Sequence, residues 1–433
     1  MGESQSLYGR GDPPPGRVLP GAVRGTDPQP ELLRPHGALA AARPLPPLAE
    51  CPDGFPEANG QWHAEPWSLD PSNPATLELL SELYAELLPL FTSDKIHVGA
   101  DETWDLGKGH NREACATRGL HAVYLDFLRR LRDLARKHGR TAHYWGDMVW
   151  NHFPERVPEL DRDMVMVDWG YYRAYPFDAH GAALAEAGVP FWFAPGTSVW
   201  ATLLGCNEAC FGSNRSAAVA GVRHGAGGLL NTDWGDGGHW QYLPVSYAGF
   251  AAGAAMAWSH AANPDERIAA ALDLHVFRDA AKVMGKTALG LADAWQHVGE
   301  GVTQAHILDA ILRHASARPL PGEVTAATLQ GAAAHIQEQV DRLSHARMDR
   351  PDAALIVDEF RNGARMAVHA CRLGRALHDG NAAAAAVCRE LAAGMGVILD
   401  EHRRLWLARN RPGGLADSMC LLQQRLAEYT AHA

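Results

Sequence analysis

Between Lys95 and Asp236, five short apolar runs alternate with helical stretches, and every run ends in polar or aromatic residues. The runs are Lys95–Val98, Thr141–Trp145, Met164–Asp168, Pro190–Ala194 and Gly228–Thr232. Each has the length of a buried strand. The segments between them space leucines helically, most clearly Ala122–His138 through Leu125, Leu128, Leu131 and Leu134, with a shorter helix at Gly181–Ala187. Repeated strand–helix units predict an α/β fold with a mostly parallel sheet. The strand ends carry Asp101/Glu102, Asp147, Asp168/Trp169/Tyr171, Thr197/Trp200 and Asp233/Trp234/Asp236. A doubly wound sheet gathers its ligand at one switch point. Polar residues at five successive strand ends instead fit a (β/α)8 TIM-type barrel. Five strands are readable where eight are needed, so the expected barrel is incomplete, with strands 1–3 missing or degraded.

The flanks differ in kind. Ten of the first fifty residues are proline, and residues 1–47 form a Pro/Ala/Arg-rich irregular lead expected to be disordered. Asn73-Pro74 then starts a helix through Leu77, Leu80, Leu83 and Leu87. Residues 48–262 are the expected barrel domain, carrying strands 4–8. Residues 263–433 are expected to form an all-helical C-terminal domain, with helices at Arg267–Val283, Ala326–Leu343, Ala353–His378 and Ala383–Leu407. Breaks fall at Pro319-Leu-Pro321, Gly380 and Pro412-Gly-Gly414.

A net charge of -11 excludes a general nucleic-acid binder, which needs a basic face. No apolar run reaches the roughly 20 residues of a membrane helix, and no secretory leader is visible. Seven scattered cysteines show neither zinc spacing nor a disulfide framework, and Cys206 and Cys210 lie in a loop-like stretch. Reduced thiols and a cytoplasmic location are expected.

The chemistry concentrates in His97-Val-Gly-Ala-Asp101-Glu102, followed by Thr-Trp-Asp-Leu-Gly. Two adjacent carboxylates at the end of a buried strand repel, so one is expected to hold its proton near neutral pH. An acid beside a carboxylate suits cleavage of a glycosidic bond. Nine of thirteen tryptophans lie between Trp104 and Trp258. Indole faces stack on pyranose rings while the N–H still bonds a hydroxyl. Trp150, Trp192 and Trp258 are assigned to packing. His97 is read as a core histidine. No metal site is expected, because His97, His143 and His239 lack ligand spacing.

The segment resembles the signature of family 20 glycoside hydrolases, the β-N-acetylhexosaminidases, whose fourth barrel strand ends in His-x-Gly-Gly-Asp-Glu. Ala100 replaces the second glycine. Tyr144-Trp-Gly-Asp147, Asp168-Trp-Gly-Tyr171, Ala194-Pro-Gly-Thr-Ser198 with Trp200, and Thr232-Asp-Trp-Gly-Asp-Gly-Gly-His-Trp240 follow in order. Together they are similar to a cytosolic-type bacterial branch carrying a helical extension. The resemblance implies substrate-assisted, retaining catalysis without a cofactor on a glycan ending in N-acetylhexosamine. Asp101 would hold the acetamido N–H and Glu102 would act as acid, then base. Tyr171, or Tyr172 in its place, would donate to the acetamido oxygen. Trp145, Trp169, Trp200 and Trp234 would surround the methyl and ring, and Asp233 and Asp236 would take the 4- and 6-hydroxyls.

Relatives of this type carry three strands, an arginine and a Gly-His element before the acid pair, and none of these is matched here. Leu48-Ala-Glu-Cys-Pro-Asp-Gly-Phe55 looks family-like, whereas Pro13 to Pro47 does not. The expectation is a truncated, frameshifted N-terminal part. The alternatives are an inactive sugar-binding remnant and a metal-dependent hydrolase on the same barrel.

Overall fold

The computed structural model describes residues 46–299, 307–314, 320 and 322–433. The proline-rich lead lies outside them except at its last two residues, as do Pro319 and Pro321 of the expected break. A two-stranded antiparallel hairpin pairs β1 (Phe55–Pro56) with β2 (Trp62–His63). Helix α1 (Pro74–Leu87) starts where expected, because the Asn73 side chain caps the Ala75 N–H at 3.0 Å and Pro74 needs no donor there. Next come β3 (Lys95–His97), α2 (Arg112–Arg118), α3 (Leu120–Lys137) and β4 (Thr141–Trp145). They are followed by α4 (Asp147–His152), β5 (Val165–Trp169), α5 (Phe177–Ala187) and β6 (Phe191–Ala194).

The strands form a four-stranded sheet in the order β3-β4-β5-β6, with parallel registers such as His97 opposite His143 and Trp145 opposite Val167. No closed eight-stranded barrel is present among the described residues. The fifth expected strand, Gly228–Thr232, is not a continuous strand but still runs beside residues 191–197. The Phe193 N–H donates to the Gly228 carbonyl at 3.2 Å, the Thr197 N–H to the Thr232 carbonyl at 2.9 Å and the Thr232 N–H to the Pro195 carbonyl at 2.9 Å, with a parallel bridge between Gly196 and Thr232. Gly228 at its start leaves room for a neighbour. The Trp192 indole lies where a Cβ on Gly228 would come within 2.7 Å of it.

Helix α6 (Asn207–His224) replaces the loop expected around Cys206 and Cys210. The Asn214 side chain bonds the Cys210 carbonyl at 2.9 Å, and Cys210 is buried as a free thiol. Helix α7 (Leu243–Ser259) follows. Trp258, assigned to packing, is instead 91% exposed near its end.

The helix expected over Arg267–Val283 is interrupted. Only α8 (Ile268–Ala271) and a π turn at Leu272–Val276 form before the chain turns. Two carboxylates bond backbone donors in the turn and at the start of the helix that follows it. Asp273 takes the Gly285 N–H at 2.7 Å, while Asp279 takes those of Ala281, Val283 and Met284. The remaining helices are α9 (Met284–Ala292), α10 (Ile307–His314), α11 (Ala326–Arg342), α12 (Ala353–His378), α13 (Ala385–Arg409) and α14 (Leu415–Ala431). α11, α12 and α13 match expected segments closely, while α9, α10 and α14 lie where no particular helix was specified. No described helix is long and apolar enough to cross a membrane.

The chain divides into two compact units. The first comprises the described residues to Trp169 with Phe177–Phe193 and Ala220–Gly228. The second comprises Gly170–Pro176, Ala194–Val219 and Leu229–Ala433, with a core including Leu272, Phe277, Leu291, Ile336 and Phe360.

Candidate active site

In the first unit the backbone leaves β3 through Gly99 and Ala100, with φ of 75° and 81°, and reaches Asp101 and then Glu102, at φ 46°. Left-handed backbone at Ala100 and Glu102 costs about 1–2 kcal/mol each, since both carry a Cβ. Four bonds to main-chain atoms hold the turn. The Trp145 N–H donates to the Gly99 carbonyl at 3.0 Å, and the Tyr124 hydroxyl donates to the Ala100 carbonyl at 2.8 Å. The Glu102 N–H donates to Asp147 Oδ2 at 2.9 Å, and Trp67 Nε1 donates to the Glu102 carbonyl at 2.8 Å. Asp101 is buried and Glu102 half-buried. The two carboxylates therefore stand on a strained turn whose direction is set from α3, β4, α4 and the Trp67 segment.

Asp147 has a second duty. Its Oδ1 accepts from Trp169 Nε1 at 3.3 Å, so one buried carboxylate ties the acid turn to the ends of β4 and β5. The loop after the pair is also fixed by carboxylates. Glu50 accepts the N–H groups of Gly107, Gly109 and Asn111 and the Asn111 side chain at 2.6 Å. Asn111 also donates to Asp70 at 2.7 Å, and Asp105 accepts the Ser68 N–H at 2.9 Å. Burial raises the Glu50 and Asp105 carboxyls above their ordinary values in spite of these bonds.

His97 accepts the Gly99 N–H at Nδ1, and its ring lies 4.2 Å from that of Trp145. Burial keeps its pKa well below the ordinary histidine value, in keeping with a neutral core residue. His143 is likewise pushed down, to about 4, by burial. Trp145 itself is 1% exposed and offers almost no face to a ligand. Trp169 is half-buried. Asp168 is fully buried against His180 at 2.9 Å, and His180 stacks on Trp150 at 3.8 Å, a packing role for both.

The second unit holds the other expected residues. Tyr171 is buried, with its ring edge-on to Trp200 at 4.8 Å, and its hydroxyl accepts from Trp234 Nε1 at 3.0 Å. Tyr172 packs against Tyr175 instead. Trp200 is buried, while Trp234 and Asp233 are half-buried and Asp236 is exposed. Burial pushes the Asp233 carboxyl up to about 6, against the opposing hydrogen bonds from Thr197 and Ser246. No group of three His, Cys, Asp or Glu side chains suited to a metal occurs among the described residues.

Trp67, Tyr124, Glu50, Asp70 and Asn111 were not singled out by the sequence. They act through bonds to residues 24 to 61 positions away, a separation that leaves no local pattern. Only Glu50 carried a signal, within the family-like stretch from Leu48 to Phe55.

Residues 22–209 match the family model described as glycosyl hydrolase family 20, catalytic domain. No curated protein matches the chain. Among solved structures it is similar to the family 20 exo-β-N-acetylglucosaminidase from Vibrio harveyi, at 18% identity over 51% of this chain and 36% of that one, with a TM-score of 0.36. The β-N-acetylhexosaminidase from Bacteroides fragilis is 18% identical over 57% and 51%, with a TM-score of 0.41. The Flavobacterium johnsoniae chitobiase is 15% identical over 83% and 61%, with a TM-score of 0.35. The chain thus spans between 36% and 61% of the length of these structures.

Proposed function

We propose that the chain is a glycoside hydrolase acting as an exo-β-N-acetylhexosaminidase on glycans ending in β-linked GlcNAc or GalNAc, of the cytosolic bacterial kind. The observation that carries this is the adjacent acid pair on a strained turn, each backbone neighbour of which is bonded in place. Strain of this sort persists where the surroundings over-determine it, and it clusters at functional turns. The family match over residues 22–209 supports the same reading.

In the proposed reaction the substrate's acetamido oxygen attacks C1 as the bond from C1 to the leaving oxygen breaks. Glu102 gives its proton to that oxygen. Asp101 accepts the acetamido N–H and balances the positive oxazolinium ring. Water then adds to C1 as the bond from C1 to the acetamido oxygen breaks and the acetamido group re-forms, Glu102 takes the water's proton, and the configuration at C1 is retained. Tyr171 donates to the acetamido oxygen, since a phenol oxygen that accepts from Trp234 can still donate its own hydrogen. Trp169 and Trp234 supply ring faces, Trp145 and Trp200 back them, and Asp233 and Asp236 take sugar hydroxyls. The scheme needs no metal or cofactor.

Hydrolysis of 4-nitrophenyl N-acetyl-β-D-glucosaminide, lost in Glu102→Gln, tests the proposal. Equal turnover of the plain glucoside overturns substrate assistance. Folded protein that binds an N-acetylglucosamine thiazoline without any turnover leaves a sugar-binding remnant as the reading.

A further inference from the structure

The loop that follows Trp234 doubles back sharply. Gly237, Gly238 and His239 stand in succession at φ of 62°, 98° and 52°. Two glycines relieve the first positions, but His239 keeps its strain. Within the loop, the Gln241 side chain donates to the Trp234 carbonyl at 2.7 Å. Further restraint comes from helices far along the chain. Ser418, on α14, donates its hydroxyl to the Gly238 carbonyl, and its own carbonyl accepts from Trp240 Nε1 at 2.8 Å. Arg313, on α10, donates to the Gly237 carbonyl and lays its guanidinium 3.9 Å over the Trp240 ring, while Asp309 holds it at 3.0 Å.

Behind Ser418 runs a buried chain of bonds. His402 Nε2 lies 2.9 Å from the Ser418 hydroxyl, the Tyr242 hydroxyl 2.9 Å from His402 Nδ1, and Asn362 Nδ2 donates to Tyr242 at 2.9 Å. Its direction follows from its two ends. Ser418 spends its hydrogen on Gly238, so it must accept from an Nε2–H of His402. A neutral imidazole with that tautomer leaves Nδ1 as acceptor, which takes the Tyr242 hydrogen. Tyr242 in turn accepts from Asn362. Burial pulls His402 down to about 4, which keeps it neutral near pH 7. Such a chain could serve helix packing alone. It ends, however, on a glycine carbonyl of the strained loop that follows Trp234, the tryptophan that bonds Tyr171.

The geometry points to Ser418 and Arg313 as positioning residues that aim the Trp234–Trp240 loop at the amide-bearing sugar, with His402, Tyr242 and Asn362 fixing the direction of the Ser418 hydroxyl. This rests on the glycosidase reading above. The test uses the full chain and two measurements: hydrogen exchange of the Trp234–Gln241 amides, and calorimetric affinity for N-acetylglucosamine thiazoline. In Ser418→Ala, exchange in the loop rises and affinity falls about tenfold, the effect of one lost hydrogen bond. Ser418→Thr, which keeps the hydroxyl, recovers both. Unchanged thiazoline affinity in Ser418→Ala, with only a lowered melting temperature, overturns the positioning role. If the unsubstituted protein binds no thiazoline, the glycosidase reading falls and this role falls with it. Loop exchange distinguishes the two failures.

Discussion

The acid turn and the Trp234 loop solve one physical problem with different parts of the chain. Each bends through residues with a Cβ at positive φ, Ala100 and Glu102 in one and His239 in the other. Each is held by side chains that reach main-chain atoms. The acid turn draws on the Tyr124 and Asp147 side chains and the Trp145 backbone N–H, from the helices and strand of the repeat that follows it. The Trp234 loop draws on Arg313 and Ser418, which lie 76 and 180 positions beyond the carbonyls they bond. The proposed acid therefore belongs to the strand–helix layer that produces it. The proposed sugar-binding loop depends on helices contributed much later in the chain.

The sharpest test of this contrast is Glu102→Gln, for which kcat against the chromogenic acetamido substrate falls on the order of 10²–10⁴-fold. The turn itself should survive, because the bonds from the Glu102 N–H to Asp147 and from Trp67 to the Glu102 carbonyl use the Glu102 backbone. Asp147→Ala should act in the opposite way, on the fold of the turn. It strands the Glu102 N–H and the Trp169 N–H, and urea denaturation should show a loss of about 2–4 kcal/mol, partly restored in Asp147→Asn. An unchanged midpoint would break the idea that side chains hold the turn.

Asp233 probes the other region through pH. Its carboxyl is raised from 3.8 to about 6 in the folded protein, so folding disfavours its ionised form. The penalty is absent below the unfolded value, grows as pH rises from about 4, and is complete above about 6. The stability of the parent relative to Asp233→Asn should accordingly fall across that window, by on the order of 3 kcal/mol. A flat difference would show that burial does not set this group. Trp67→Phe keeps the ring stacked on Trp104, 5.1 Å away, but removes the donor to the Glu102 carbonyl. About 1 kcal/mol should be lost. The smallest effect belongs to Ala100→Gly, which relieves the 81° φ and should raise stability by about 0.5 kcal/mol after the entropic cost of glycine.

Much of the first region was legible from one sequence. The Thr141–Trp145 strand and the Ala353–His378 helix were found with their observed bounds, because a short apolar run and 3.6-residue periodicity are both local properties of a chain. The acid pair was legible for a similar reason. A strand running into Gly99 and Ala100 has to turn, and its next residues are displayed at the strand end. Local pattern misled in two places. Asp279 captures the Ala281 and Val283 amides of a stretch patterned as helix, and the fifth expected strand runs beside residues 191–197 without forming a continuous strand.

The amino-acid order by itself determined the alternating elements, the position of Asp101-Glu102 after β3 and the helical character of the later half. Periodicity and turn chemistry act over a few residues, so they survive in a one-dimensional string. Only the tertiary structure decided that Trp67, Tyr124 and Asp147 grip the acid turn, that Ser418 and Arg313 grip the Trp234 loop, and that Asp233 rises to about 6. Those outcomes depend on directed bonds and desolvation between residues brought together by folding, and neither has a counterpart in local sequence.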